Sequence, residues 1–137
     1  MNRKIKMLFS VILFASAPVA KAEDIAIIVH PDVDNVPINQ KRIAQIFLGK
    51  STILRPYDLP ESSPLREKFY LLATGRDQAQ VKATWMRLVF SGRGQLPTVV
   101  NNSAAAKEQI ASDPNGIAYI KKSAVDRSVK VVLTLSD

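Results

Sequence analysis

The stretch RPYDLPESSPLREKFY, residues 55–70, decides how this chain is read. It opens on the end of TILRPY (52–57), which reads as a strand that Pro56 pushes toward an edge or keeps short. It then turns into a helix, with Ser63 as the capping hydroxyl, Pro64 at the first helical position and Gly75 closing the far end. One cap is enough for a helix. The extra hydroxyl of Ser62 and the guanidinium of Arg66 are therefore either solvated surface or donors for an anion. Helix N-termini carry unpaired N–H groups and the positive end of the dipole, and a forked guanidinium suits phosphate or carboxylate. Serine caps are commonplace, and Pro64 removes one amide, so pattern alone favours the solvated reading. Position favours the other one, because open α/β sheets gather ligands outside the carboxyl ends of their strands. The anion reading requires the amides of residues 63–67 to remain unpaired and to face a concave niche.

Outward from this stretch, strands and helices alternate. IAIIVH (25–30) is a continuous apolar run, as in a strand covered on both faces. Asn39 caps a short helix in which Ile43, Ile46 and Phe47 share a face and which Gly49 ends. Asp77 and Gln80 have capping-box spacing and open a longer helix with Val81, Trp85, Leu88 and Val89 on one stripe. TVV (98–100), IAYI (117–120) and VKVVLTL (129–135) read as strands, NNSAAAKEQIAS (101–112) as a helix and DPNG (113–116) as a turn. This alternation predicts an α/β domain with a mixed, mostly parallel sheet flanked by helices.

Residues 1–22 read as a secretory leader: a basic start at Arg3, Lys4 and Lys6, an apolar run, and the small-residue end Ala20-Lys21-Ala22. The run is broken by Pro18 and too short for a comfortable membrane span. Cleavage after Ala22 leaves one domain, residues 23–137, with 15 basic against 12 acidic side chains, a net charge of about +3 rather than +7. That balance suits anionic small partners and gives no case for nucleic acid. With no cysteine, disulfides, thiolate metal sites and a cysteine nucleophile are excluded. The expected location is the periplasm, as a protein not inserted in the membrane.

The remaining constellations are weak. His30, Asp32 and Asp34 read as a solvated loop rather than a metal site, and no cofactor is expected. The Gly92-Arg93-Gly94 segment lacks the preceding strand of a dinucleotide motif. Trp85 belongs to the core, whereas Tyr57 and Tyr119 are candidates for polar contacts through their hydroxyls. No nucleophile has a base to activate it, so an enzyme is not expected.

The ordered set IAQIFLGK, ESSPLREKF, ATWMRLVFSGRGQLP and NGIAYIKKSAVDRSVKVV resembles the small phosphate-ABC-transporter substrate-binding-protein-like family, shortened relatives of the type II periplasmic phosphate-binding proteins. The resemblance runs from about Ile25 to Leu135 and implies a periplasmic-binding-protein type II-like lobe. Full-length relatives hold phosphate with a Ser-Gly-Thr helix start, an arginine and an aspartate. Here Ser63-Pro64-Leu65 stands in the Ser-Gly-Thr place, and Arg55 and Asp58 lie upstream at stretched spacing. The Gly-rich opening segment is missing, and Asn101, Asn102 and Ser103 stand where a late anion-binding segment would be. The resemblance thus implies phosphate or a similar small oxyanion at Ser62, Ser63, Arg66, Asp58 and Arg55, for ABC-type uptake through an inner-membrane permease or for sensing. The alternative is a ligand-free interaction module that docks on another envelope protein. A homodimer would restore a two-walled cleft.

Overall fold

The structure, a computed structural model, describes Ile12, residues 23–34 and residues 37–137. The expected leader, but for Ile12, lies outside the described residues. Five strands, β1 (Ile25–Val29), β2 (Arg55–Asp58), β3 (Thr98–Val99), β4 (Gly116–Lys121) and β5 (Lys130–Leu135), form one sheet in the order β3-β2-β4-β1-β5. Helices α1 (Gln40–Phe47), α2 (Pro64–Thr74), α3 (Gln78–Phe90) and α4 (Ser103–Ser112) connect them. β2 runs parallel to β3 and β4, and β1 runs antiparallel to β4 and β5. Four strands therefore point one way and β1 alone is reversed, which is the expected mixed, mostly parallel sheet.

The continuous apolar run of β1 has a direct cause. Ile25, Ile27 and Val29 face a core shared with α1, α2 and α3, while Ala26 and Ile28 face a second core under α4. Alternation along the strand sends successive side chains to opposite faces, and both faces are covered. Aromatic rings fill the first core, with Phe69 stacked on Tyr119 at 3.9 Å between centroids and Phe47 edge-on to Phe69 at 4.8 Å.

The local signals act where expected. Asn39 caps α1 through Arg42 N–H, Asp77 and Gln80 form a reciprocal capping box on α3, and Asn102 caps α4. Pro56 does not place β2 at an edge: β2 lies between β3 and β4 and is only four residues long, so the proline limits its length instead. On α3, Val81 and Trp85 are buried and Leu88 half-buried, but Val89 is exposed. The sheet ends at the two-residue β3, and in the last turn of α3 Leu88 packs against the core while Val89 and Phe90 stay exposed. Among the described residues no helix is long and apolar enough to cross a membrane.

Candidate functional site

The residues of the 55–70 stretch separate into two places, and strand geometry explains why. Side chains alternate across a strand, so Arg55 and Tyr57 share one face of β2 and Asp58 takes the other. Arg55 is exposed at the start of β2, where its Nη1 donates to the Asp113 carboxylate at 2.7 Å, and the Tyr57 hydroxyl donates to the same oxygen at 2.7 Å. Asp58, at the carboxyl end of β2, faces α2. The structure thus brings Asp58, Ser63 and Arg66 together and leaves Arg55 out.

Asp58 is 3% exposed and saturated with donors. One carboxylate oxygen accepts from the Tyr119 hydroxyl and from the Leu59 amide at 2.8 Å. The other accepts from the Tyr70 hydroxyl at 2.6 Å and from Arg66 Nε at 3.3 Å. The Arg66 guanidinium also donates to Gln78 Oε1 at 2.5 Å and lies 5.1 Å from the Tyr70 ring centroid. One buried ion pair thereby ties the end of β2 to α2, α3 and β4.

The electrostatics follow from this burial. Loss of hydration, and then the Asp58 carboxylate, push the Tyr70 and Tyr119 phenols far above their ordinary range. Burial is the largest single effect on Arg66 and draws its pKa down, but the attraction and hydrogen bond of Asp58 together with Tyr70 and Tyr119 outweigh it and hold the guanidinium above its usual value.

The first turn of α2 is largely engaged. Ser63 Oγ accepts from the Arg66 N–H at 3.4 Å, and the Ser63 carbonyl accepts from the amides of Arg66 and Glu67 at 3.1 and 3.3 Å. Pro64 has no N–H, so of positions 64 to 67 only Leu65 keeps an amide outside these bonds. Ser62 is exposed and Ser63 half-buried. The expectation of open amides is thus corrected: the cap and the helix use them, and a carboxylate of the chain itself takes up the guanidinium.

Beside this cluster lies a small pocket of about 170 Å³, lined by Leu59, Met86, Leu96, Pro97 and Val99 around the Asp58–Arg66 pair. Buried Trp85 also borders it. The indole N–H of Trp85 lies toward the Tyr70 hydroxyl without reaching hydrogen-bonding geometry. Neither Ser62 nor Ser63 lines the pocket.

The polar contacts expected of Tyr57 and Tyr119 are present, through Asp113 and Asp58. Sequence reasoning missed Tyr70 and Gln78. Tyr70 had a signal, since it stands four residues after Arg66 and so shares its face of α2. His30 Nδ1 accepts the Asp32 amide at 3.1 Å, and among the described residues no group of three or more His, Cys, Asp or Glu side chains has metal-site geometry.

No family model and no curated protein sequence matches the chain. Its structure is similar to that of an ABC-type phosphate transport receptor from Vibrio cholerae, at 19% identity and a TM-score of 0.63, over 80% of this chain and 45% of that one. A phosphate ABC transporter substrate-binding protein with bound phosphate from Clostridium perfringens aligns at 22% identity and a TM-score of 0.62, over 80% and 44%. PstS from Borrelia burgdorferi aligns at 14% identity and 0.60, over 83% and 47%. The chain has the fold of these phosphate-transport binding proteins and spans somewhat less than half of their length.

Proposed function

We propose that this protein is a solute-binding-protein-like module of the periplasm whose phosphate-type turn is closed from within, and which works by docking. The observation that carries this reading is the Asp58 carboxylate, buried and saturated by four donors beside a helix start whose cap already uses its amides. An incoming oxyanion would have to displace a carboxylate already desolvated and paired, and removing one partner of a buried pair costs about 3–5 kcal/mol.

The docking surface is the β3 edge. Val99 is 61% exposed on that two-residue edge strand, Met86 and Leu96 line the pocket beside it, and Phe90, one turn after Met86 on α3, is 87% exposed. Met86 and Phe90 stand four residues apart on α3 and share a face. An open strand edge next to an apolar pocket fits an extended apolar segment of another envelope protein, which would pair along β3 and place a side chain in the pocket.

A second reading, favoured by the likeness to three phosphate-transport proteins, keeps a small oxyanion such as phosphate at Ser62, Ser63 and Arg66 for delivery to a permease. Calorimetry separates the two. The docking reading expects no heat from residues 23–137 with phosphate, sulfate or succinate. Heat that disappears in Ser63→Ala and Arg66→Ala would replace it with the oxyanion reading. A photo-crosslinking residue at Phe90 should trap a partner in the periplasm while one at Val131, on the opposite edge, does not. Equal trapping from both positions, or none, would overturn docking at β3.

A further inference from the structure

A cleft much larger than the pocket beside the α2 turn lies elsewhere. It opens at the other end of β2, with a volume of about 670 Å³, between the loop after α1 and the loop after α3. Two arginines, Arg55 and Arg93, line it together with the polar residues Ser51, Thr52, Gln95, Thr98 and Asn115. None of its lining residues is acidic. Arg55 shares Asp113 with Tyr57, whereas the Arg93 side chain makes no ion pair or hydrogen bond among the described residues.

Both walls are pinned to α3 by glycines. Gly49 has a φ of +75°, and a Cβ there would lie 2.7 Å from Leu88 Cδ1 and 2.9 Å from Trp85 Cζ3. At Gly94 a Cβ would come within 3.2 Å of Leu88 Cβ. These close approaches hold the two loops against the same side chain, Leu88, with Trp85 also against the first loop, so the gap between them is set by α3. Buried Leu54 and Trp85 give the cleft an apolar side.

From this we infer that the cleft is a binding site for a small organic anion, with an oxyanion head held by Arg93 and Arg55 and an apolar body lying against Leu54 and Trp85. The volume falls in the range of small-molecule sites, about 300–1,000 Å³, and is far larger than an inorganic oxyanion needs. A guanidinium without an internal partner is free to make a forked, charge-assisted contact with phosphoryl or carboxylate oxygens. This site stands apart from the α2 turn but shares Trp85 and Leu96 with the small pocket beside β3, so Arg93, which lines only this cleft of the two, carries its test.

Trp85 is the only tryptophan and borders the cleft, so its fluorescence reports occupancy. Residues 23–137 would be titrated with phenyl phosphate, phenylacetate and inorganic phosphate. Saturable change with one or both aromatic anions, and none with inorganic phosphate, is expected. The arm that responds distinguishes a phosphoryl head from a carboxylate one. Arg93→Ala, in an exposed loop, should weaken binding about tenfold or more, the loss of roughly one charge-assisted contact. Ser63→Ala should leave it unchanged. Arg55→Ala also breaks the contact with Asp113, so Arg93→Ala decides. An unresponsive Trp85 with both aromatic anions, or binding as tight in Arg93→Ala as in the wild type, overturns the assignment.

Discussion

Replacing Asp58 by asparagine tests whether the chain's own carboxylate holds the first turn of α2 in place. The substitution keeps the shape and removes the charge. Asparagine retains one carbonyl acceptor, but its NH₂ then faces donors: the Tyr70 hydroxyl and Arg66 Nε on one side, or the Tyr119 hydroxyl and the Leu59 amide on the other. Arg66, whose side chain is 11% exposed, keeps only Gln78 and the Tyr70 ring as partners. An uncompensated buried charge of this kind costs about 3–5 kcal/mol. Against a total stability of about 5–15 kcal/mol for such a domain, the variant stands near the edge of folding.

Urea unfolding followed by Trp85 fluorescence measures the difference as a shift of the midpoint at constant slope. Phosphate supplies the second arm. If the carboxylate does inside the chain what an oxyanion would do from outside, phosphate should restore stability to Asp58→Asn and leave the wild type unchanged. Ligand at 100 times its dissociation constant stabilises by about 2.7 kcal/mol, which the same titration resolves. A loss below about 1 kcal/mol would refute the reasoning, because it would equal an ordinary neutral hydrogen bond rather than a stranded charge. Phosphate stabilising the wild type and the variant equally would refute the substitution of carboxylate for oxyanion.

Two further outcomes follow from the packing and the titrations. Gly75→Ala and Gly49→Ala both force alanine to positive φ, +69° and +75°, but nothing lies within 4 Å of a Cβ at Gly75 while Leu88 and Trp85 crowd one at Gly49. Thermal unfolding should show a loss of about 1–2 kcal/mol for Gly75→Ala and a clearly larger one for Gly49→Ala; equal losses would refute the pinning of that loop. The Tyr57, Tyr70 and Tyr119 phenols all titrate above their ordinary value in the folded chain. Above about pH 10 the unfolded chain gives up these protons and the folded chain keeps them, so their contribution is intact below that pH and is lost as pH rises. Tyrosinate absorbance should therefore rise together with loss of circular dichroism; phenols ionising in a folded protein would refute it.

How legible all this was differs from residue to residue. The strand at 25–29 and the caps at Asn39, Ser63 and Asp77 were legible because each depends on a few neighbouring residues. The reversal of β1 was not, since an apolar run has no direction of its own. The exposure of Val89 was not either: a helical stripe is wide, and how much of it is buried depends on where the sheet ends. In the site, alternation along β2 already separates Arg55 from Asp58, three residues apart, and that signal lay in the sequence. The Asp58–Arg66 pairing was hidden by the turn between them, because spacing alone does not say whether a carboxylate points back at the helix that follows.

That pairing also bears on why an ionic cluster sits in so small a core. A buried pair is weak evidence for stability, since apolar side chains of similar volume often serve as well or better. What the Asp58–Arg66 pair adds is direction. Two ring hydroxyls, an amide, a guanidinium and Gln78 converge on it from β2, α2, α3 and β4, and each accepts or donates in one arrangement only. Apolar packing would tolerate sliding of α2 over the sheet; this cluster does not. The same contacts that fix the helix also consume the charge an external oxyanion would need. Positional order in the core and an open anion turn thus compete for one arginine, and in this chain the core has it.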